Sequence, residues 1–328
     1  METKEEKLKM NEEKEIVDEK KEIEEEKKEK ELNTKSGVVA IIGLPNVGKS
    51  TLLNQILGTK VSIVSPKPQT TRFNVRGIFT RDNVQIIFID TPGIHDPKDL
   101  FNKFMVKEAI NVLEDVDAVV WVMDVTRRLP EEEKILEIIK QVNKPTILVL
   151  NKIDLIKKAE LLPIIDYFSK LYEFKAIIPV SALKNDGIDL IIKELIDIIP
   201  EGPFFYEPDQ ITDLPLRLLI AEIIREKIFL NTFEEVPYCT AVYVENIEER
   251  PEKNLLYIQA IIYVERESQK GIIIGKNGRM LKKIGTLARE ELEFLLGKKI
   301  YLDLWVKTLE DWREKEYYIR RLAIPLMK

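Results

Sequence analysis

The stretch VVAIIGLPNVGKSTLLNQIL, residues 38–57, decides the fold of the first half of this chain. A short apolar run ends in glycine, a loop of the form G-x-x-x-x-G-K-S follows at residues 43–50, and an apolar helical stretch begins directly after it. In this strand–loop–helix context, glycines let backbone N–H groups turn toward phosphate oxygens, and the helix N-terminus adds partial positive charge. The stretch therefore predicts a nucleotide-binding loop.

The chemistry of this loop assigns a role to two side chains. Lys49 is expected to reach the β and γ phosphates, and the hydroxyl of Ser50 is expected to bind Mg²⁺. The predicted loop residues are Gly43, Leu44, Pro45, Asn46, Val47, Gly48, Lys49, Ser50 and Thr51.

Further apolar runs occur at residues 84–90, 118–124, 146–151 and 176–182, and amphipathic helical stretches separate several of them. Continuous apolar strands that alternate with helices are typical of a mostly parallel sheet covered on both faces. We therefore predict an α/β P-loop domain over residues 37–200.

Three short motifs end successive predicted strands, where open α/β sheets bind ligands. DTPG places Asp90 to hold Mg²⁺ through water and the Gly93 amide to sense the γ-phosphate. In NKID, the Asp154 carboxylate can accept both guanine N1–H and N2–H₂, a donor pattern that adenine lacks, so GTP is favoured over ATP. The predicted GTP-binding residues from these motifs are Asp90, Thr91, Pro92, Gly93 and Ile94, then Asn151, Lys152, Ile153 and Asp154, then Ser181, Ala182 and Leu183.

The segment SPKPQTTRF, residues 65–73, is predicted to be a switch. A threonine hydroxyl here can complete the coordination of Mg²⁺ only when the γ-phosphate is present, so nucleotide would order the segment. Thr71 is favoured for this role, and Thr70 is the alternative. The predicted metal-binding residues are thus Ser50, Thr71 and Asp90, and the predicted catalytic residues are Lys49, Thr71, Gly93 and Asn46.

A second glycine loop, GIIIGKNG at residues 271–278, fails as a nucleotide loop. Only three residues separate Gly271 from Gly275, and Asn277 follows Lys276 where a metal-binding hydroxyl would be needed. The stretch instead contains G-x-x-G, the loop that in KH modules joins two helices and clamps the backbone of single-stranded RNA. Basic residues cluster around it, so the predicted RNA-binding residues are Lys270, Gly275, Lys276, Asn277, Gly278, Arg279, Lys282 and Lys283.

The elements around this loop follow the order helix–strand–strand–helix–loop–helix–strand, which predicts an α+β type II KH domain. We place the boundaries at 1–36 for a charged tail, 201–214 for a linker, and 215–328 for the KH domain with a terminal helix over residues 309–322. The tail carries most of the acidity, since residues 1–31 have a net charge of −5 and the remaining 42 basic and 43 acidic residues give −1. Disorder or a loose helix is expected for the tail.

The motifs resemble those of the Era family of GTPases. The resemblance rests on KVSIVSPKPQTTR followed by DTPGIH, and on ITDLPLRLLIAEIIREK, VERE and LWVK in the second half. It implies binding near the 3′ end of 16S ribosomal RNA and a role in maturation of the small ribosomal subunit. It also implies a hydrophobic residue, here Ile94, where other GTPases carry a water-orienting glutamine, and therefore slow hydrolysis. Asn46 occupies the position at which similar GTPases bind potassium, so K⁺ joins Mg²⁺ as a candidate cofactor.

Composition limits the remaining choices. The single cysteine excludes an internal disulfide framework and fits a reducing cytoplasm. We expect a monomer, with peripheral association at the inner membrane as in some members of the family. The alternatives are a GTPase that acts in RNA modification and a GTP-regulated interaction protein at the membrane.

Overall fold

The computed structural model describes residues 34–127 and 132–323, so the interpretation of residues 1–33 as a disordered or loosely helical tail lies outside the described residues. The described part holds one six-stranded sheet, in the order β2-β3-β1-β4-β5-β6, and one three-stranded sheet, β7-β8-β9. The strands are β1 Lys35–Ile42, β2 Val75–Arg81, β3 Val84–Asp90, β4 Ala118–Asp124, β5 Thr146–Asn151, β6 Ala176–Val180, β7 Ala241–Arg250, β8 Leu255–Val264 and β9 Lys299–Thr308. The longer helices are α1 Lys49–Leu57, α2 Leu100–Asn111, α3 Glu133–Val142, α4 Lys158–Leu171, α5 Ile188–Ile198, α6 Leu216–Asn231, α7 Glu267–Ile274 and α8 Arg279–Leu296.

The first sheet is buried on both faces. In β1, Val39 and Ile41 pack into a core cluster with α1 and α5, while Ala40 and Ile42 pack into a second cluster with α2, α3 and α4. Strands β3, β1, β4, β5 and β6 are parallel to one another. The prediction of a mostly parallel sheet with helices on both faces is confirmed.

The edge strand β2 was not predicted from the sequence. It pairs antiparallel with β3, and its burial is mixed because it has a neighbour on only one side. Its short, partly polar sequence, VRGIFTR, lacks the continuous apolar run that marked the central strands. The first strand also starts at Lys35, two residues before the predicted boundary.

Residues 201–214 lie along this edge of the sheet as an extended connector. The backbone N–H of Ile78 donates to the carbonyl of Ile211 at 2.7 Å, and Thr212 Oγ1 donates to the carbonyl of Arg76 at 2.6 Å. The side chain of Gln85 accepts from the backbone N–H groups of Phe205 and Tyr206. The predicted linker is therefore fastened to the first domain along its length.

The second domain places α6, α7 and α8 against one face of the three-stranded sheet. Ile220 of α6, Ile258 of β8 and Ile284 of α8 are fully buried in its core. Strand β8 is antiparallel to β7 and parallel to β9. This order and pairing confirm the predicted α+β KH domain.

The predicted helix over residues 309–322 is wrong. After β9, the chain forms a 3₁₀ turn at Trp312–Glu314, a short helix at Glu316–Tyr318 and a π-helical turn at Ile319–Ala323. Trp312 is fully buried, and its indole N–H donates to the carbonyl of Cys239 at 2.9 Å. Insertion of this side chain between the domains prevents one regular helix. The last residues of the predicted KH domain, 324–328, lie outside the described part of the chain.

The two domains share a hydrophobic cluster. Phe73 and Phe101 of the first domain pack with Leu214, Ala241 and Trp312. Across residues 34–127 and 132–323, no helix is both long enough and apolar enough to cross a membrane.

Candidate nucleotide site and nucleic-acid interface

A cavity of about 540 Å³ opens at the carboxyl ends of β1, β3 and β5. Its size falls in the range of ligand sites in proteins. The predicted residues that line it are Pro45, Asn46, Gly48, Lys49, Ser50, Thr51, Thr71, Gly93, Asn151, Lys152, Asp154, Ala182 and Leu183. The predicted residues that lie outside the lining are Gly43, Leu44, Val47, Asp90, Thr91, Pro92, Ile94, Ile153 and Ser181.

The shape of the loop depends on Gly48. Its φ of 102° is left-handed, and an added Cβ would lie 2.2 Å from Nδ2 of Asn151. The same Nδ2 donates to the carbonyl of Val47 at 2.7 Å. A side chain at position 48 would therefore separate the loop from the strand end that supports it.

Lys49 lies at the buried end of the cavity. Its Nζ donates to the carbonyls of Gly43 at 3.2 Å and Leu44 at 3.0 Å. Burial lowers the pKa of Lys49 to about 8, although the negative charge of Asp90 opposes this shift. An anion in the cavity would relieve the unfavourable burial of this charge.

Three predicted metal-site residues come together at the base of the cavity. Ser50 Oγ donates to Asp90 Oδ2 at 2.6 Å and lies 3.0 Å from Thr71 Oγ1, which is itself 3.4 Å from Asp90 Oδ2. Ser62 Oγ also donates to Asp90 Oδ2, at 2.7 Å. Burial raises the pKa of Asp90, against the opposing effects of Lys49 and the three hydroxyls.

The second carboxylate oxygen of Asp90 is buried and, within the described residues, has no hydrogen-bond partner. A buried acceptor of this kind normally has a partner. Carboxylate and hydroxyl oxygens are hard ligands of the type that Mg²⁺ prefers. The donor set therefore fits a magnesium ion.

The geometry separates the two competing threonines. Thr71 Oγ1 faces Ser50 and Asp90, whereas Thr70 Oγ1 lies 2.7 Å from Ser65 Oγ and donates to the carbonyl of Lys67 at 2.9 Å. Thr70 is thus tied to its own loop. The arrangement favours Thr71 for the metal.

At the other end of the cavity, the NKID and SAL motifs hold each other. Asp154 Oδ1 accepts from Ser181 Oγ at 2.7 Å, and Asn151 Oδ1 accepts from the backbone N–H of Ala182 at 2.9 Å. Lys152 Nζ donates to the carbonyl of Asn46 at 2.8 Å. The NKID motif therefore supports the phosphate-binding loop as well as the SAL motif.

Several residues of the site escaped the sequence analysis. Asp124, at the end of β4, accepts from Lys152 Nζ at 2.6 Å, and Arg127 donates to the carbonyl of Pro45 at 2.7 Å. Ser62 and Gln69 are the others, in the segment before Thr70. Asp124 could have been predicted from the sequence, because it is a polar residue at the carboxyl end of an apolar strand. Asp90 and Asn151 were assigned to the site from the same kind of position.

The second glycine loop joins α7 to α8 and projects from the KH domain. Gly275 has a φ of 70°, and an added Cβ would lie 2.7 Å from the Cβ of Met280, so this position requires glycine. Lys276, Arg279, Lys282 and Lys283 are exposed and form no ion pair within the described part of the chain. Asn277 and Gly278, also with positive φ, complete the turn.

Lys270 differs from its basic neighbours. Its Nζ lies 3.3 Å from Oε2 of Glu267 on the preceding turn of α7. Among the adjacent apolar residues, Ile273 belongs to the domain core while Ile272 is 48% exposed. The loop and the first turns of α8 therefore provide the unpaired positive charge.

Comparisons with known proteins agree with this architecture. A family model described as a 50S ribosome-binding GTPase matches residues 38–152, and a KH domain model matches residues 235–313. The GTPase Era of Ruminiclostridium cellulolyticum is 52% identical over 293 residues, which cover 89% of this chain and 98% of that protein. The GTPase Era of Carboxydothermus hydrogenoformans is 48% identical, with the same coverage.

Solved structures give the same result. The complex of Era with MgGDPNP and nucleotides 1506–1542 of 16S ribosomal RNA has a TM-score of 0.86 at 48% identity, covering 89% of this chain and 99% of that one. A variant of Aquifex aeolicus Era bound to GDP·AlF₄⁻ has a TM-score of 0.85 at 48% identity, covering 88% and 99%. On its sequence, its two domains and their arrangement, the chain belongs to the Era family of GTPases.

Proposed function

We propose that this chain is a GTP-hydrolysing switch that binds 16S ribosomal RNA through its KH domain and acts in assembly and maturation of the small ribosomal subunit. The nucleotide site occupies the cavity described above. Its assigned residues are those predicted from the four motifs, including the ones that support the loop from outside the lining.

The residues of the site divide the work of binding. Lys49 and the loop amides neutralise the β and γ phosphates, and Asp154 accepts from the guanine base. Ser50 and Thr71 would ligate Mg²⁺, and Asp90 would hold it through water. The metal supplies positive charge at the β and γ oxygens, where negative charge develops during hydrolysis.

Hydrolysis is expected to be slow. Ile94 is fully buried, and its backbone N–H donates to the carbonyl of Gly43 at 3.1 Å, so neither its side chain nor its N–H is available to an attacking water. Asn46 Nδ2 donates to the carbonyl of Pro66 at 2.8 Å, which places its amide between the phosphate loop and the switch segment. A potassium ion at this position would add positive charge near the phosphates.

The observation that carries the proposal is the contact between the switch segment and the KH domain. Thr71 faces the metal site, and its two neighbours in sequence bind the other domain. The carbonyl of Thr70 accepts from Arg225 Nη2 on α6, and Arg72 donates to the carbonyls of Thr240 at 2.5 Å and Tyr238 at 3.2 Å. Movement of Thr71 toward a bound metal would therefore disturb the domain interface.

A charge network adds a second connection. Lys60 Nζ lies 2.6 Å from Oε2 of Glu226 on α6 and also contacts Glu291 on α8. Glu226 Oε1 accepts from the backbone N–H of Val64 at 3.0 Å. Because α8 begins at the glycine loop, this network joins residues 60–64, directly before the switch segment, to the helix that would present RNA-binding residues.

The decisive experiment measures RNA affinity in three nucleotide states. A labelled RNA of the sequence that relatives bind, nucleotides 1506–1542 of 16S ribosomal RNA, is titrated with the full chain loaded with Mg·GDPNP, with GDP, or with no nucleotide. We expect affinities that differ between states by about 5-fold or more. Identical affinities in all three states would contradict the coupling.

A cellular experiment tests the RNA target. Crosslinking and sequencing of bound RNA are compared between the wild-type chain and a variant with Gly275→Asp and Gly278→Asp. Loss of the 16S signal in the variant supports the KH assignment, and an unchanged profile moves RNA contact elsewhere. GTP turnover that disappears in Lys49→Ala distinguishes a working GTPase from a pure interaction protein.

The expectations of a monomer, a cytoplasmic location and peripheral contact with the inner membrane also belong to the proposal. They follow from the resemblance to the family. Analytical ultracentrifugation tests the first, and fractionation of cells into soluble and membrane pools tests the other two.

A further inference from the structure

The nucleotide site lacks a water-orienting group at the position after Gly93, because Ile94 is fully buried and packs into the core with Ile42 and Trp121. A polar side chain from another segment could take over this task. Among the cavity residues of the switch segment, Thr71 faces the metal site and Thr70 is bonded to its own loop, as described above. Gln69 lines the same cavity and carries a side-chain amide.

The backbone at Gln69 is unusual. Its φ is 60°, a left-handed backbone conformation that residues other than glycine rarely adopt. Such conformations cluster at functional sites, where the surrounding structure holds them. Here the conformation accompanies a specific contact, since Gln69 Nε2 lies 3.0 Å from Nε2 of His95, directly after Ile94.

The partners of His95 indicate how the amide of Gln69 is oriented. His95 Nδ1 lies 2.8 Å from the carbonyl oxygen of Gly93, which can only accept, so Nδ1 carries a proton. In the neutral ring, Nε2 is then an acceptor, and the NH₂ group of Gln69 donates to it. Asn102 Oδ1 also lies 3.1 Å from this Nε2.

This pairing leaves the amide oxygen of Gln69 available. Within the described part of the chain, Gln69 Oε1 has no hydrogen bond to protein. Two hydrogen bonds thus join this side chain through His95 to Gly93, whose N–H is assigned to the γ-phosphate. An acceptor held near that phosphate is what an attacking water needs.

We propose that Gln69 is a catalytic residue whose Oε1 accepts a hydrogen bond from the attacking water, and that His95 is the positioning residue that orients it. The water oxygen bonds to the γ-phosphorus as the bond from that phosphorus to the β–γ bridging oxygen breaks. GDP leaves with the bridging oxygen, and the water proton passes to the released phosphate. This inference rests on the proposed hydrolysis of GTP in this cavity.

The test uses single-turnover hydrolysis of GTP by the full chain together with nucleotide affinity. Gln69→Ala should lower the rate constant at saturation by about tenfold to a hundredfold, the effect of misplacing a reacting group. Its affinities for GDP and Mg·GDPNP should stay within about twofold of wild type, because uniform binding is not affected. Gln141→Ala, an exposed glutamine on α3, is the matched control and should match wild type in both measurements.

Variants of His95 separate positioning from general stability. His95→Ala should lower the rate constant to a similar degree, and adding Gln69→Ala to it should lower the rate little further, because the two residues act as one unit. His95→Gln places an amide oxygen near the former Nε2 and should restore part of the rate.

Three results would overturn the inference. They are a wild-type rate constant in Gln69→Ala, an equal loss of rate and of affinity for both nucleotides, and rate losses that multiply in the double variant. Failure of the proposed function looks different, since the wild-type chain would then bind nucleotide without turnover.

Discussion

The carbonyl oxygen of Thr70 accepts a hydrogen bond from the guanidinium of Arg225, which lies 155 residues later in the sequence. The next residue, Thr71, turns its hydroxyl toward Ser50 and Asp90. Consecutive residues therefore contact two different centres, the metal site and the KH domain. A peptide of this kind cannot respond to one centre without affecting the other.

Arg72 is buried at the domain interface. Burial lowers the pKa of its guanidinium well below the ordinary value, yet it donates to three backbone carbonyls and lies against the rings of Phe101, Phe229 and Trp312. Arg72→Ala removes the Arg72 donors from those carbonyls, of which, among the described residues, Pro237 alone keeps another donor in Thr240 Oγ1, so we expect a loss of about 2–4 kcal/mol in the free energy of unfolding. Chemical denaturation measures it.

The control for this variant is Arg76→Ala. Arg76 is half exposed and pairs with Asp213 at 2.8 Å on the surface, so its removal should cost less than about 1 kcal/mol. Equal losses of unfolding free energy in both variants would show that the buried arginine stabilises the fold no more than the exposed one. Arg72→Ala should also reduce the difference in RNA affinity between the GTP-bound and GDP-bound states.

Replacement of Thr71 should lower the affinity for Mg·GDPNP much more than replacement of Thr70. Thr71→Ala removes a ligand that acts with the γ-phosphate, so we expect the affinity for Mg·GDPNP to fall by about tenfold or more while that for GDP stays the same. Thr70→Ala breaks bonds within its own loop and should change the GDPNP affinity by less than about threefold. Titration with fluorescent nucleotides measures both. A larger effect at Thr70 would reverse the assignment.

The affinity for GTP should depend on pH above neutrality because of Lys49. Its pKa of about 8 in the nucleotide-free protein means that it is charged below that pH and neutral above it. A neutral lysine must take up a proton to pair with phosphate, so affinity should fall as pH rises through about 8, by at most about tenfold per pH unit. Calorimetry in buffers of different ionisation enthalpy detects the uptake. Lys49→Ala should bind weakly and without this dependence.

Asp154→Asn should change the base preference. The carboxylate accepts from N1–H and N2–H₂ of guanine, whereas an amide N–H in its place opposes the amino group and suits the C2 carbonyl of xanthine. We expect the affinity for GTP to fall by about a hundredfold and that for XTP to rise. Competition binding measures the ratio. Asp166→Asn, at an exposed ion pair on α4, should leave it unchanged.

Removal of unpaired charge at the KH loop should weaken RNA binding in a salt-dependent way. Lys276→Ala with Lys282→Ala removes two exposed cations, so the slope of log affinity against log salt should shrink by about 0.7 for each lost phosphate contact. Lys270→Ala is the comparison, because its charge is already paired with Glu267 and should matter less. Equal slopes for wild type and the double variant would place the phosphate contacts elsewhere.

The sequence was most informative where function depends on local pattern. The phosphate loop and the motifs at the ends of β3, β5 and β6 could be located because apolar runs mark buried strands and ligands bind at their carboxyl ends. The Gly275 turn could be located because its glycines and lysines are adjacent. The confirmed fold class follows from the same patterns.

The features that could not be predicted from the sequence depend on contacts between residues far apart in the chain. Nothing near Arg72 indicates that its partners are the carbonyls of residues 237–240, and nothing near Gln69 indicates His95. The terminal segment was misread as a helix because its charged, apolar spacing is helical, whereas burial of Trp312 between the domains decides its path. Strand β2 was missed because an edge strand needs apolar residues less.

The fastened connector determines which motions the second domain can make. Residues 201–214 are hydrogen-bonded to the edge strand as far as Thr212, and Asp213 pairs with Arg76, so almost no slack chain precedes Pro215 at the start of α6. If the contacts of residues 60–73 and those of Trp312 and Arg313 with Phe101 and Asp99 were released, the KH domain could not drift away from the first domain. It would keep one fixed pivot near Pro215 and could only rotate about it, so a small displacement at the interface would become a large arc at the Gly275 loop.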